Sequence, residues 1–133
     1  MNQPATPLPA SPAEHRVVIL GASPKMDRYS NQAQHMLMEA GYQVIPVHPK
    51  IETIGGVPVV HDVRDIDRPV HTLTLYVGPQ RTAPMIDAIA TLAPARVIFN
   101  PGTESDVLEE RLAGQGAECI RGCTLVMLRT RQF

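Results

Sequence analysis

The sequence predicts an α/β fold, a parallel sheet of about five strands with helices on both faces. Three observations carry this. Short apolar or β-branched runs alternate with amphipathic helical stretches, the pattern of a sheet built from strand–helix–strand units. The first run, Val17-Val18-Ile19-Leu20, is apolar at every position rather than alternating, as expected of a strand buried on both faces. It leads directly into the small-residue loop Gly21-Ala22-Ser23-Pro24-Lys25 and then a helical pattern, an arrangement that offers backbone N–H groups at a helix N-terminus to phosphate.

Ahead of that strand, Pro4, Pro7, Pro9 and Pro12 crowd the chain. Proline removes donors and opposes helix, so residues 1–14 are expected to be a disordered arm and residues 15–133 the single folded domain. After the strand, Ala33, Met36, Leu37 and Ala40 fall at i, i+3, i+4 and i+7, the core-facing stripe of a helix. Ser30 or Asn31 caps its start and Gly41 ends it. A second strand at 43–47 closes on His48-Pro49. Residues 51–70 hold Gly55-Gly56, Pro58, Pro69 and a charged patch over 62–68, and read as a connection with a short extended piece and one helical turn.

The third strand, 72–77, stops at Gly78-Pro79. A helix over about 82–92 buries Met85, Ile86, Ile89 and Leu92, with Pro84 in its first turn. The fourth strand is 96–99. Thr103-Glu104-Ser105-Asp106 resembles a capping box and opens a helix carrying Val107, Leu108 and Leu112, which ends near Gly114 and Gly116. A fifth strand at 118–121 precedes a terminal segment at 125–128.

Composition narrows the function. A formal net charge of -1 argues against nucleic-acid or anionic-membrane partners, which call for a basic surface. No apolar run approaches the roughly 20 residues of a membrane span, and residues 1–14 lack the features of a secretory signal. A cytoplasmic location is expected. Two cysteines, Cys119 and Cys123, are too few for a disulfide framework and lack C-x-x-C spacing; Cys123, near the sheet edge, is read as a small buried residue in preference to a reactive thiol. His15, His35, His61 and His71 are scattered without metal-ligand spacing and are read as structural.

Right-handed crossovers bring the C-terminal ends of the strands to one edge of the sheet, where ligands bind. The loops at 21–30, 48–50, 78–81 and 100–103 are therefore expected to meet in one crevice. In the first, Gly21 permits close approach and Ser23 offers a hydroxyl, while Lys25 and Arg28 could neutralise a diphosphate. Tyr29 suits either a contact with adenine or pantetheine or a staple onto the following helix. The loop is neither G-x-G-x-x-G nor G-x-x-x-x-G-K-[ST], which argues against a triphosphate loop. The end of the second strand discriminates further. NAD enzymes usually carry Asp or Glu there for the ribose 2′-hydroxyl; this chain has Val47-His48-Pro49-Lys50. A missing carboxylate and a nearby cation favour a nucleotide with an additional ribose phosphate, and NADP and coenzyme A both qualify. No nucleophile stands beside a base, so no catalytic residue is assigned.

Taken in order, Val-Ile-Leu-Gly-Ala-Ser-Pro-Lys, Gly41-Tyr42-Gln43-Val44-Ile45-Pro46-Val47-His48-Pro49-Lys50, Ile54-Gly55-Gly56-Val57-Pro58 and Phe99-Asn100-Pro101-Gly102-Thr103-Glu104 resemble the small, single-domain coenzyme A-binding proteins, over residues 16–128. The chain is also similar to the coenzyme A-binding N-terminal domain of the succinyl-CoA synthetase α-subunit. There a proline and a lysine follow the second strand, and a tyrosine–valine pair ends the third, as Tyr76-Val77 does here. The resemblance implies a Rossmann-like fold in which Gly21, Ala22 and Ser23 hold the diphosphate. Pro49 and Lys50 would flank the 3′-phosphoadenosine, and Tyr76, Val77 and Gly78 would line the adenine or pantetheine side. His48, Asn100, Pro101 and Gly102 complete the expected set with Lys25 and Arg28. Many family members have Asn-Pro in place of His48-Pro49, and Gln-x-Gly in place of Asn100-Pro101-Gly102. The synthetase's phosphorylated histidine belongs to a further domain, so ligase activity does not carry over. The expectation is a protein that binds coenzyme A or an acyl-CoA without catalysis. The alternatives are an NADP-dependent reductase and an acyl-CoA-responsive regulatory or partner subunit.

Overall fold

A computed structural model of the chain describes residues 7–133; Pro4, and with it the start of the expected arm, lies outside the described residues. The elements run β1 (Arg16–Leu20), α1 (Tyr29–Glu39), β2 (Gln43–Val47), a hairpin of β3 (Thr53–Ile54) and β4 (Val57–Pro58), β5 (Thr72–Leu75), α2 (Pro79–Thr82), α3 (Ile86–Leu92), β6 (Arg96–Phe99), α4 (Asp106–Ala113), β7 (Glu118–Arg121) and α5 (Thr124–Arg129). Five of the strands form one parallel sheet in the order β2-β1-β5-β6-β7. The chain winds outward from β1 to β2, then crosses back to β5 and continues the other way. That reversal leaves a crevice above the C-terminal ends of β1 and β5, the switch point of a doubly wound, Rossmann-like sheet.

The apolar run of β1 serves both faces. Val18 and Leu20 pack with Leu73, Leu75, Val97 and Phe99 under α3 and α4, whereas Val17 and Ile19 pack with Leu37 of α1 and Leu128 of α5. β5 reads Thr-Leu-Thr-Leu, an alternation that suggests one wet face, yet all four residues are buried. Its threonines are sheltered by hydrogen bonds: Thr72 Oγ1 to His15 Nε2 at 2.8 Å, and Thr74 Oγ1 to Thr124 Oγ1 at 2.8 Å. Burial of a hydroxyl is tolerated when a partner replaces water.

The expected arm is ordered where it meets the sheet. Pro12–Glu14 form a 3-10 turn, and the Gln43 side chain donates to the Ala13 carbonyl, tying the turn to β2. α1 starts at Tyr29, and neither Ser30 nor Asn31 caps it; both are buried in its first turn. Its buried face is Ser30, Asn31, Ala33, Gln34 and Leu37; of the expected stripe Ala33 and Leu37 are buried, whereas Met36 is half-buried and Ala40 exposed. Gln34 earns its place through Nε2, which donates to the Ile54 carbonyl at 2.9 Å. Gly41, at φ +92°, ends the helix as expected, with Tyr42 N–H reaching back to Leu37 O at 3.0 Å.

β5 stops at Leu75 rather than at Val77. The helix expected over 82–92 is broken into α2, a 3-10 turn at Ala83–Met85, and α3. Pro84 has no N–H to continue the ladder, so the backbone tightens there instead. α4 is capped by Ser105, whose Oγ accepts Leu108 N–H at 3.2 Å, while Thr103 turns back to donate to Asn100 O. Val107 faces solvent, 65% exposed, and is not part of the buried stripe. Among the described residues no helix is long and apolar enough to cross a membrane.

His15 gives the fold a pH dependence. It is 4% exposed, with the rings of Tyr42 and His71 edge-on to it. Burial, then the positive charge of Arg96, then His71, lower its pKa from 6.5 to about 4. Burial also lowers His71, with Arg16 adding to the effect. The unfolded chain therefore takes up protons more readily than the folded one. The stability held at neutral pH declines as the pH falls through the window between 6.5 and 4. Urea denaturation is expected to give about 2 kcal/mol less stability at pH 5 than at pH 7 from His15 alone. A flat profile would refute its burial as the neutral form.

Candidate nucleotide-binding cleft

A cleft of ≈ 1370 Å³ opens over the C-terminal ends of β1, β2 and β5. Small-molecule sites typically occupy about 300–1,000 Å³, so an extended ligand fits. Its near wall comes from the loop after β1. Gly21 sits at φ +96°, and a Cβ there would lie 2.8 Å from Val77 Cγ1 and 3.1 Å from the Tyr76 carbonyl carbon. The loop therefore lies directly on the end of β5. The N–H groups of Gly21 and Ala22 both donate to Val47 O, at 3.3 and 3.1 Å, so they hold the loop to β2 and are not free for a ligand.

Free donors lie a few residues further on. Ser23 is half-buried at the cleft; its Oγ accepts Lys25 N–H at 3.1 Å, and its carbonyl accepts from Asn31 Nδ2 at 2.9 Å. α1 then begins with Arg28 at its N-cap, which makes no side-chain capping bond. The first helical bond is Gln32 N–H to Arg28 O at 3.1 Å. The N–H groups of Tyr29, Ser30 and Asn31 thus have no partner among the described residues. A helix start in this state carries a partial positive charge. Arg28, Tyr29 and Ser30 all line the cleft, as does Lys25.

At the end of β2, His48 and Pro49 line the cleft, and Lys50 does not. The His48 N–H donates to Val60 O at 3.1 Å, and its Nδ1 accepts Lys50 N–H at 3.0 Å and Ile51 N–H at 3.3 Å. At the end of β5, Tyr76 and Val77 form the floor. Burial pushes the Tyr76 phenol up to about 12, so it stays neutral. Gly78 follows outside the lining as the N-cap of α2. Beyond β6, Pro101 reaches the cleft, whereas Asn100 and Gly102 do not. Asn100 is 3% exposed and fully engaged: Nδ2 donates to Thr74 Oγ1 and to Leu75 O, both at 2.8 Å, and Oδ1 accepts Thr124 N–H at 2.8 Å. Gly102 N–H turns away to Glu104 Oε1 at 2.9 Å.

The opposite wall holds Arg81, from the loop expected there at 78–81, and beyond it residues the sequence does not point to: Val63 and Arg64 of the 3-10 turn at Val63–Asp65, and Met85 and Ala88. The charged patch over 62–68 was visible in the sequence, but its position across the crevice was not. Asp62 caps the turn by accepting Arg64 N–H at 2.8 Å, and the Arg64 guanidinium holds its carboxyl down at about 2. Asp87 is paired with Arg111 at 3.0 Å. Lys25, Arg28 and Arg81 form no ion pair among the described residues. The cleft therefore keeps uncommitted cations, while two of its carboxylates, Asp62 and Asp87, are paired and, among the described residues, Asp27 is not.

The described residues hold no group of three or more His, Cys, Asp or Glu side chains that could bind a metal ion. Cys119 and Cys123 are free and half-buried, and burial pushes the Cys119 thiol up.

The crystal structure of an uncharacterized protein superposes on the chain with a TM-score of 0.84 at 41% identity, covering 90% of this chain and 98% of that one. A hypothetical protein from Pyrococcus horikoshii OT3 superposes at 0.78 with 26% identity, covering 87% and 82%. The uncharacterized protein YneT of Bacillus subtilis is 33% identical over 61 residues, 46% of this chain, and the chain spans 45% of that relative's length. A family model described as a CoA binding domain matches residues 15–129, nearly all of the sheet and its helices, and the chain belongs to that family.

Proposed function

We propose that the chain binds coenzyme A or an acyl-CoA in this cleft, as a binding module with no reaction of its own. The observation that carries the reading is the uncapped start of α1. Three free N–H groups open there beside Ser23 and the unpaired Lys25 and Arg28, at the edge where such sheets take phosphate. Membership of the CoA binding domain family supports the choice of nucleotide. So does the end of β2, where no carboxylate stands ready for an unmodified ribose. The same feature suits NADP, which makes NADP the competitor to test.

Coenzyme A is expected to raise the melting temperature and NAD to leave it unchanged. A ligand that binds only the folded state at a hundredfold excess over Kd adds about 2.7 kcal/mol. A thermal scan with coenzyme A, NAD and NADP reads this directly. No shift with coenzyme A would remove the proposal, and equal shifts with coenzyme A and NADP would transfer it to a reductase. Ser23→Asp is expected to abolish the coenzyme A shift with an unchanged circular dichroism spectrum. A carboxylate there would face the diphosphate where water is partly excluded and like charges repel strongly.

A further inference from the structure

His48 has two ring nitrogens with separate tasks. Nδ1 accepts the N–H groups of the residues two and three positions on, Lys50 at 3.0 Å and Ile51 at 3.3 Å. A nitrogen that accepts carries no proton, so the proton of the neutral ring sits on Nε2. Nε2 has no hydrogen-bond partner among the described residues, and His48 lines the cleft. The base of the residue is fixed as well, since its N–H is bound to Val60 O. The Nδ1 edge thus does what an asparagine Oδ1 does in an Asx turn, where a side-chain acceptor holds backbone N–H groups just downstream. Histidine adds a second nitrogen beyond the turn, and asparagine has nothing at that reach.

The geometry points to His48 as the residue that discriminates the ribose phosphate: Nδ1 builds the turn after β2, and Nε2–H is held as a fixed neutral donor at the place where such sheets meet the ribose. This rests on the coenzyme A reading above. It moves the discrimination from Lys50, which lies outside the cleft lining and is engaged here through its backbone, to its neighbour.

Two measurements test it. Nitrogen-15 spectra of the imidazole in the ligand-free protein at neutral pH should show the Nε2–H tautomer, and an Nδ1–H tautomer would overturn the assignment. Calorimetry with coenzyme A and 3′-dephospho-coenzyme A on wild type, His48→Asn and His48→Ala reads the ligand half. Wild type should prefer coenzyme A by about tenfold, the scale of one hydrogen bond to a charged group. His48→Asn should keep wild-type hydrogen-exchange protection at Lys50 and Ile51 but bind the two ligands about equally, and His48→Ala should lose both protection and preference. An asparagine variant that keeps the tenfold preference would sink the ligand role. One that loses the amide protection would sink the turn role. If wild type binds neither ligand, the ligand half falls with the coenzyme A reading, while the tautomer and exchange measurements still decide the turn.

Discussion

Gly21→Ala is expected to cost about 2–5 kcal/mol of stability. About 1–2 kcal/mol comes from placing a side chain in the left-handed region. About 1–3 kcal/mol more comes from overpacking, because the new Cβ would lie 2.8 Å from Val77 Cγ1 and 3.1 Å from the backbone of Tyr76. Valine is stiff about χ1 and cannot swing away, and Tyr76 can move only if the end of β5 moves with it. The same shift would pull on the Gly21 and Ala22 N–H bonds to Val47, so the near wall of the cleft should loosen together with the fold. Urea denaturation reads the loss. A change below about 0.5 kcal/mol would mean that the loop relaxes away from β5 without strain.

Asn100→Ala should be nearly as damaging, at about 3 kcal/mol, although Asn100 does not line the cleft. The side chain joins β5, β6 and the start of α5 through three hydrogen bonds of 2.8 Å, and its removal strands Thr124 N–H in a buried place. The loss should be local in character. Amide exchange in α5 should speed up more than in α4, which is held separately by Ser105 and by the ion pairs of Arg121 with Asp106 and Glu109. Equal acceleration in both helices would contradict Asn100 as the specific tie to α5.

What could be read in advance divides along one physical line. β1 and β6 begin and end where their apolar runs place them, because burial on both faces leaves little choice, whereas the edge strands β2 and β7 are only partly buried and take their bounds from the turn residues beside them. The faces of the helices were less legible. Gln34 occupies a core position of α1 because its partner is supplied from elsewhere: it reaches Ile54, twenty residues on. No local pattern announces such a partner. The cleft divides in the same way. The wall formed by Gly21, Ser23, His48 and Tyr76 follows from loops that succeed parallel strands. The wall formed by Val63 and Arg64 depends on how the long connection folds back, which is decided by Val63, Ile66 and Val70 joining the same core as Val18 and Leu20, from which they are distant along the chain. Asn100 was legible as a loop residue at the right edge, but its burial beneath α5 was not.

The β3–β4 hairpin also bears on how molecules meet one another. Just after β4 the chain bridges onto the outer side of β2, with Val60 N–H donating to Pro46 O at 2.9 Å and His48 N–H to Val60 O at 3.1 Å. Pro46 offers no N–H of its own on that side. β2 is therefore closed as a template at its C-terminal end, and β7 is the outermost strand at the other end of the sheet. Fibrous stacking of sheets edge to edge needs two receptive edges on every molecule. A molecule with one can join a single neighbour and then has no place for a third, so association through strands ends at a pair instead of a filament.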